Sequence, residues 1–244
     1  MNNINRQSED KRNAVLFDID DTLYDQTSPF VKAYEDLYKD RYDIPVYDLY
    51  VSSRRYSDEV YDQSMRGEIT MDEMYIYRIK NAFRDFGIDI TDDEALEFQK
   101  IYSGYQNHIE MSETMKELLD YCDGKVRLGI ITNGPEDHQQ DKFNALGMER
   151  WIPDSDLFIS EAVGIAKPDV GIFRLAEDGM ELTPENTWYV GDAYINDITG
   201  AAGAGWNSIW INRRKYEQPA DGPRPNYMVT TDEELSKLVR KLIG

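Results

Sequence analysis

Several residue types that define common classes of protein are scarce in this chain of 244 residues. Its single cysteine, Cys122, cannot form an internal disulfide, and this favours a reducing compartment. We interpret Cys122 as a packing residue in a helix near the core. The two histidines, His108 and His138, are too few for a histidine-rich zinc site. Any bound metal should therefore be a hard, oxygen-binding ion such as Mg²⁺.

Basic residues and long apolar runs are also scarce. The chain has 27 lysines and arginines against 47 aspartates and glutamates, and its net charge of −20 argues against binding to nucleic acid polymers or anionic membranes. No apolar stretch approaches the about 20 residues that span a bilayer, and Met1–Arg12 is polar rather than signal-like. We therefore expect a cytoplasmic protein with no membrane partner, whose oligomeric state the sequence does not indicate.

The most informative stretch that is present is Ala14–Leu23, where an apolar run ends abruptly in three aspartates. The run has the length and residue types of a strand buried on both faces. Asp18 and Asp20 stand two residues apart and should project to the same side of the strand end. Carboxylates at this density require a cation. Taken alone, the stretch is also compatible with a solvated acidic loop.

Short β segments alternate with helical stretches from Lys125 onward, which predicts an α/β fold with a doubly wound parallel sheet and a Rossmann-like core. The predicted strands after Ala14–Asp18 are Val126–Thr132, Leu157–Ser160, Thr187–Gly191, Ser208–Ile211 and Tyr227–Val229. The helices predicted between them are Glu136–Leu146, Pro168–Glu177 and Asn196–Ala202.

A stretch with helical periodicity and no convincing buried strand separates the first strand from the others. Apolar and aromatic residues recur at helical spacing in three groups, Phe30–Tyr38, Tyr75–Phe86 and Phe98–Tyr105. We therefore predict a catalytic core of residues 1–24 and 109–244, interrupted by a helical insertion of residues 25–108.

The insertion is rich in side chains that could contact a substrate. Twelve of the 17 tyrosines lie between Tyr24 and Tyr105, where packing of the helices is favoured over stacking against a ligand. Arg54, Arg55 and Arg78 could reach a second anionic group of a substrate. Solvated helix faces are the favoured interpretation for these arginines.

Further polar signals follow the strand ends downstream. Thr132 ends the segment L-G-I-I-T-N-G, and Lys167 follows the third strand in G-I-A-K-P. Asp192 ends the fourth strand, with Asp197 five residues later, in Y-V-G-D-A-Y-I-N-D. Ligands of parallel sheets bind at the carboxyl ends of the strands, near the point where the strand order reverses. We therefore expect these residues to converge with Asp18.

In order and spacing, D-I-D-D-T-L, the strand-terminal Thr-Asn-Gly, Lys-Pro, and Gly-Asp with a later Asp resemble the haloacid dehalogenase-like hydrolase superfamily. The resemblance covers essentially the whole chain. It implies the capped phosphatase branch, with the helical insertion as the cap. Within that branch the chain resembles members of the pyrimidine 5'-nucleotidase and N-acylneuraminate 9-phosphatase type.

The chemistry of such a site can be stated in physical terms. A phosphate monoester is dianionic near neutral pH, so a carboxylate nucleophile needs positive charge beside it, which Mg²⁺ and Lys167 would supply. We hypothesise that Asp18 attacks phosphorus to form an aspartyl-phosphate that water then cleaves. Asp20 would protonate the leaving oxygen and later deprotonate the water, for which we expect its pKa to be raised by burial and by neighbouring carboxylates.

The predicted metal ligands are Asp18, Asp20 through its backbone carbonyl, and Asp192. Asp197 should lie farther from the metal, where it holds ordered waters or orients Lys167.

Thr132 is expected to donate its hydroxyl to a phosphate oxygen, together with the backbone N–H groups of Asn133 and Gly134. Asp21 stands where many family members have glycine, and we expect a turn or supporting role for it.

The presence of Asp20 argues against carbon–halogen cleavage, because the dehalogenating members lack an acid at this position and have no alkoxide to protonate. The favoured substrate is a small phosphorylated metabolite, such as a nucleoside monophosphate or a sugar phosphate. Two alternatives remain: a phosphomutase of the same fold, and a catalytically silent Mg²⁺-binding or phospho-acceptor interaction protein. A response-regulator receiver domain would need only about half this length.

Overall fold

A computed structural model describes residues 13–244 of the chain. The polar stretch Met1–Arg12, on which the expectation about signal segments rests, lies outside the described residues. The described chain divides into two compact units. One is formed by Gln26–Ile109, and the other by the described residues through Asp25 together with Glu110–Gly244.

The second of these units, which we call the core unit, contains a parallel sheet of six strands within the described residues. The strands are β1 (Ala14–Phe17), β2 (Arg127–Thr132), β3 (Leu157–Ile159), β4 (Thr187–Gly191), β5 (Asn207–Ile211) and β6 (Tyr227–Val229). Their order in the sheet is β3-β2-β1-β4-β5-β6. The predicted doubly wound α/β fold is confirmed, and the strand order reverses beside β1, between β2 and β4.

The position of β1 in the middle of the sheet follows from its composition. All four residues of β1 are buried, as expected for a strand that has neighbours on both edges and packing on both faces. On one face, the ring of Phe173 packs edge-on against Tyr189 and Trp206, with centroids 5.2 and 5.3 Å apart. This packing fixes the strand ends that carry the polar residues.

The other unit, which we call the helical unit, contains four helices in the described residues 26–109. They are α1 (Ser28–Tyr38), α2 (Val46–Met65), α3 (Met71–Arg84) and α4 (Asp92–Gln106). Capping boxes begin the last two, with Thr70 and Glu73 at α3 and Thr91 and Glu94 at α4. The core of this unit is aromatic, and the rings of Phe30 and Phe98 lie 4.8 Å apart.

Helix α2 was not identified from the sequence. Its buried face includes the serines Ser52, Ser53 and Ser57 besides apolar residues such as Leu49 and Val60. Small hydroxyl side chains allow close packing but do not contribute to an apolar periodicity. The signal that identifies the other three helices is therefore weak here.

The helices of the core unit are α5 (Glu113–Cys122), α6 (Glu136–Ala145), α7 (Ser160–Val163), α8 (Val170–Met180), α9 (Thr199–Gly203) and α10 (Asp232–Ile243). Helix α8 begins two residues later than predicted, because the Asp169 side chain accepts a hydrogen bond from the Gly171 N–H and caps it. A π-helical segment, Tyr194–Ile198, precedes α9 where one helix was predicted. None of the described helices is both long and apolar enough to span a membrane.

Candidate active site

The first acidic side chain lies directly beyond β1. The Asp18 N–H donates to the carbonyl of Val190 at 2.9 Å, so the strand pairing continues to the start of the acidic loop. The Asp18 carboxylate is buried, and its Oδ1 accepts a hydrogen bond from Lys167 Nζ at 2.8 Å. No hydrogen bond to Asp18 Oδ2 is found among the described residues. Lys167 therefore holds Oδ1, while Oδ2 is available to bind a metal or to react with a substrate.

Lys167 lies at the centre of a buried polar cluster. Its ammonium donates to Asp18, to Asp197 Oδ1 at 2.7 Å and to the Tyr189 hydroxyl at 2.8 Å. Tyr189 in turn donates to the carbonyl of Ile131 at 2.6 Å. Burial by itself lowers the pKa of Lys167, but the two carboxylates outweigh it and hold the pKa well above its ordinary value. The lysine is a fixed positive charge in this site.

The side chain of Asn133 forms two hydrogen bonds to the backbone of Lys167. Its side-chain amide donates to the Lys167 carbonyl at 2.9 Å, and its Oδ1 accepts from the Lys167 N–H at 2.9 Å. This pair of bonds ties the end of β2 to the loop that carries the lysine. From the sequence, only the backbone N–H of Asn133 was predicted to take part in the site. That its side chain positions the backbone of Lys167 was not predicted.

Three carboxylates converge at the carboxyl ends of β1 and β4. Asp18, Asp192 and Asp197 each place one carboxylate oxygen within 4.8 Å of the others. Burial, followed by its acidic neighbours, raises the pKa of Asp192 well above its usual range. Burial is also the largest cause that raises the pKa of Asp18, to about 7, against the opposing charge of Lys167. The single positive charge of Lys167 does not offset the three carboxylates. Carboxylate oxygens are hard donors, and this set fits a divalent cation such as Mg²⁺.

The three members of the cluster differ in how many oxygens are already engaged. Both oxygens of Asp197 are used, one by Lys167 and the other by the Ala193 N–H at 2.8 Å. The Asp192 backbone is fixed through its carbonyl, which accepts from Trp210 Nε1 at 2.7 Å. No hydrogen bond to the Asp192 carboxylate is found among the described residues. Asp18 and Asp192 are therefore better placed than Asp197 to give oxygens to a metal.

The carboxylate of Asp20 is engaged elsewhere. Lys142 Nζ lies 2.7 and 2.6 Å from its two oxygens, and Tyr24 and Gln139 donate to it at 2.6 and 3.2 Å. Burial acts to raise the pKa of Asp20, but Lys142 and these hydrogen bonds lower it overall. The expected rise is therefore wrong for this structure. The pKa of Asp20 is lowered by Lys142, a residue that the sequence did not indicate as part of the site.

Helix α6 supplies a buried polar pair to the site. Gln139 and Lys142 lie three residues apart on the same face of the helix. The two residues are only 2% and 3% exposed. Gln139 accepts a hydrogen bond from the Thr132 hydroxyl at 3.2 Å and donates to Asp20 and to the carbonyl of Asn133. The only sequence signal for this pair is that α6 has little apolar periodicity, because polar residues take positions on its buried face.

Gly134 follows Thr132 and Asn133 in a tight turn. Its N–H donates to Ser160 Oγ at 3.0 Å, so this donor, which the sequence predicts to bind phosphate, is engaged by a protein acceptor in this structure. Its φ is +148°, and a Cβ at this position would lie 2.6 Å from Gln139 Nε2. Only glycine fits here without displacing Gln139. Ser160, which the sequence analysis did not single out, is a further neighbour of the site.

Asp21 takes a turn position with a supporting role. Its φ is +55°, an uncommon value for a residue with a side chain. Arg214 Nε and one Nη donate to its two carboxylate oxygens at 2.8 and 2.6 Å, a bidentate pair. Arg213 donates to the backbone carbonyls of Asp21 and Thr22 at 3.0 and 2.8 Å. The loop after β5 therefore holds the acidic loop in place.

A family model of haloacid dehalogenase-like hydrolases matches residues 13–205 of this chain, which is more than half of its length. The protein belongs to the haloacid dehalogenase-like hydrolases. This confirms the family that the motifs indicate.

Two curated relatives differ in how much of their length is matched. The chain is 36% identical to the Escherichia coli pyrimidine 5'-nucleotidase YjjG over 125 residues, which cover 51% of this chain and 54% of that protein. It is 25% identical to the N-acylneuraminate-9-phosphatase of Rattus norvegicus over 94% of each chain.

Solved structures share the fold at lower identity. The HAD-hydrolase YfnB from Bacillus subtilis, bound to magnesium, is 21% identical, with a TM-score of 0.68 over 94% of this chain and 99% of its own. The L-2-haloacid dehalogenase of Xanthobacter autotrophicus is 17% identical, with a TM-score of 0.68 and the same coverage. Proteins named as dehalogenases are therefore among the structural neighbours, so the fold does not by itself identify the reaction.

Proposed function

We propose that the protein is a Mg²⁺-dependent phosphatase that hydrolyses a small phosphate monoester through an aspartyl-phosphate on Asp18. The observation that carries this proposal is the arrangement of Asp18. One of its oxygens is bound by the buried Lys167, the other has no hydrogen bond from the described residues, and the three carboxylates of its cluster are offset by this one lysine. A second carboxylate, Asp20, stands two residues away in the same loop.

Mg²⁺ would be held by the carboxylates of Asp18 and Asp192 and by the backbone carbonyl of Asp20. When bound, the ion would offset the negative charge of the phosphate and of the carboxylates around it. The Asp20 carboxylate is engaged with Lys142, which agrees with a ligand role for its backbone alone.

The reaction divides into two displacements. In the first, Asp18 Oδ2 forms a bond to phosphorus while the bond to the ester oxygen breaks, and Asp20 delivers a proton to that oxygen. In the second, a water oxygen bonds to phosphorus, Asp20 accepts its proton, and the bond to Asp18 breaks to release inorganic phosphate. Lys167 holds Asp18 in place and offsets its charge throughout.

Lys142 favours one of the two protonation states that Asp20 must use. Its contact stabilises the ionised carboxylate, which is the form that accepts a proton from water in the second displacement. To act as the acid in the first displacement, Asp20 must be protonated, and the proton weakens its attraction to Lys142. The proposed cycle therefore includes a loosening of the Asp20–Lys142 pair.

The substrate is proposed to be a nucleoside monophosphate or a sugar phosphate. The nucleotidase and N-acylneuraminate phosphatase names of the curated relatives support this choice. Asp20 supports phosphate ester cleavage over dehalogenation, because a halide leaves without a proton whereas an alkoxide requires one. A proton donor beside the nucleophile has no task in carbon–halogen cleavage.

The test is a screen of the purified full chain, with Mg²⁺, against phosphorylated metabolites, the activated ester 4-nitrophenyl phosphate and 2-chloropropionate, in which phosphate and chloride release are measured. We expect phosphate release from at least one ester and no chloride release. Asp18→Asn should abolish activity, while Asp141→Asn, an exposed change on α6, should leave it unchanged.

Chloride release would support a dehalogenase. Substrate loss without matching phosphate release would support a phosphomutase, and no turnover of activated aryl phosphates would support a silent binding protein.

A further inference from the structure

Arg78 of the helical unit is a buried cation that forms no ion pair with any described acidic side chain. It lies on α3 and is 6% exposed, so the interpretation of a solvated helix face is wrong for this residue. Arg54 and Arg55, by contrast, are exposed and pair with Asp58 and Asp85. No carboxylate of the described side chains forms an ion pair with Arg78, and its Nε–H has no hydrogen-bond acceptor.

The groups around Arg78 are neutral or positive. One Nη donates to the side-chain carbonyl of Gln99 on α4, whose amide is oriented by Ser103 at 2.8 Å. The rings of Tyr75 and Tyr102 lie 5.2 and 5.7 Å from the guanidinium carbon. Burial, together with the like charge of Arg54, acts to lower the pKa of Arg78. The electrostatic environment therefore favours an anion at this position.

Acidic residues are abundant in the chain and on helices α3 and α4. The chain carries 47 acidic residues, and α3 and α4 begin with five of them, Asp72, Glu73, Asp92, Asp93 and Glu94. Burying an unpaired cation costs several kcal/mol, and proteins usually pair such a group. If Arg78 only linked α3 to α4, a neutral side chain would form the same bond to Gln99 without that cost.

We propose that Arg78 is the centre of an oxyanion-binding site in the helical unit, which takes a carboxylate or phosphate group. The free Nε–H supplies a directed donor, and the guanidinium is suited to planar and tetrahedral oxyanions. Tyr75 is half-buried, so the guanidinium lies beneath a ring that solvent reaches. The anion would supply the counter-charge that the described side chains do not provide.

The direct test is a titration of the full chain, labelled with ¹⁵N-arginine, followed by NMR through the side-chain Nε–H signals. The Arg78 signal is assigned by its loss in Arg78→Lys. The probes, added separately, are inorganic phosphate and benzoate. We expect a saturable shift of the Arg78 signal with a Kd of about 1 mM or tighter for at least one probe. No saturable shift with either probe would overturn the proposal.

Arg84 is the matched control. It lies on the same helix, pairs with Asp89 at 3.1 Å and has a side chain that is 52% exposed. Its Nε–H signal should not follow the Arg78 titration, and Arg84→Lys should leave the Arg78 shift unchanged. A parallel shift of both signals would mean general ionic screening and would contradict a site at Arg78. This titration does not depend on the proposed phosphatase activity.

A second arm identifies the source of the anion and rests on the proposed function. Wild type, Arg78→Gln and Arg84→Gln are compared for the hydrolysis of phenyl phosphate and 4-carboxyphenyl phosphate. A rise in KM of about tenfold, confined to Arg78→Gln and the carboxylated ester, assigns the anion to the substrate. Equal KM values for the two esters in wild type and Arg78→Gln assign it to a separate ion. Failure of all hydrolysis would count against the phosphatase and leave the NMR result standing.

Discussion

At the scale of single residues, the proposed acid and base is controlled by a side chain 122 positions later in the sequence. Lys142 contacts both oxygens of Asp20, and the two side chains are 4% and 21% exposed. Such a short, largely buried pair fixes the direction of the Asp20 carboxylate as well as its charge. The loop and α6 therefore act together in the proposed chemistry.

We predict that Lys142→Met lowers kcat by about 100-fold for an alkyl phosphate and changes KM little, because the side chain contacts Asp20 rather than the substrate. A loss should also be seen with 4-nitrophenyl phosphate, whose leaving group needs no proton, because both esters form the same aspartyl-phosphate and its cleavage uses the ionised Asp20 that Lys142 stabilises. Steady-state kinetics with both esters measures the two losses. The control is Asp141→Asn on the same helix. An unchanged kcat with the alkyl ester would remove Lys142 from the mechanism.

Cys122 gives a prediction about pH. Burial raises the pKa of its thiol to about 11 from an ordinary value of 9.0, because the thiolate is poorly solvated in the interior. Its contribution to stability is complete below pH 9 and is lost as the pH rises towards about 11, where the unfolded chain ionises first. Cys122→Ala should flatten this part of the stability curve. An alkaline decline of the same steepness in both proteins would contradict the assignment.

At the scale of elements, the helices α3 and α4 of the helical unit are stabilised by the capping residues at their starts. Thr91→Ala removes the cap of α4, where the side chain accepts from the Glu94 N–H at 3.1 Å, and should cost about 1 kcal/mol of unfolding free energy. Urea unfolding followed by far-UV circular dichroism measures the change. Glu97→Ala, on the exposed face of the same helix, should be near neutral. Equal losses in both variants would show that the cap contributes nothing specific.

The elements also show what the sequence could predict. Asp18, Lys167 and Asp192 could be grouped because they follow strands of a parallel sheet, and such strand ends converge by geometry. Lys142 and Gln139 could not, because a helix face gives no sign of which loop it will contact. Helix α2 was missed for a related reason, since buried serines interrupt the apolar pattern that marks a packed face.

The Asp21 loop shows the same limit. Its positive φ and its pair with Arg214 depend on a loop 193 residues later in the chain. A local pattern could indicate that Asp21 departs from the family motif. It could not indicate the arginine that stabilises the departure.

At the scale of the whole molecule, charge and stability are linked through the acidic cluster. The chain carries a net charge of −20, and burial raises the pKa of Asp18 and Asp192, as do their acidic neighbours. A divalent cation that binds the folded protein should offset this repulsion and stabilise it by mass action.

We predict that Mg²⁺ at 100 times its Kd stabilises the protein by about 2.7 kcal/mol, seen as a rise in Tm. Asp192→Asn should abolish most of that rise, because it removes a proposed ligand. Asp123→Asn, an exposed change at the end of α5, should retain it. Differential scanning calorimetry with EDTA-treated protein provides the baseline. An equal rise of Tm in wild type and Asp192→Asn would place the cation elsewhere.

The most direct measurement is whether Asp18 carries a phosphoryl group during turnover. Full-length protein is mixed with Mg²⁺ and an ester that it hydrolyses, quenched in acid, and digested for mass spectrometry. We predict that the peptide containing Asp18 gains the mass of one phosphoryl group, that hydroxylamine removes it, and that Asp18→Asn never acquires it. Turnover with full phosphate release and no modified Asp18, or a phosphoryl group on another residue, would contradict Asp18 as the nucleophile.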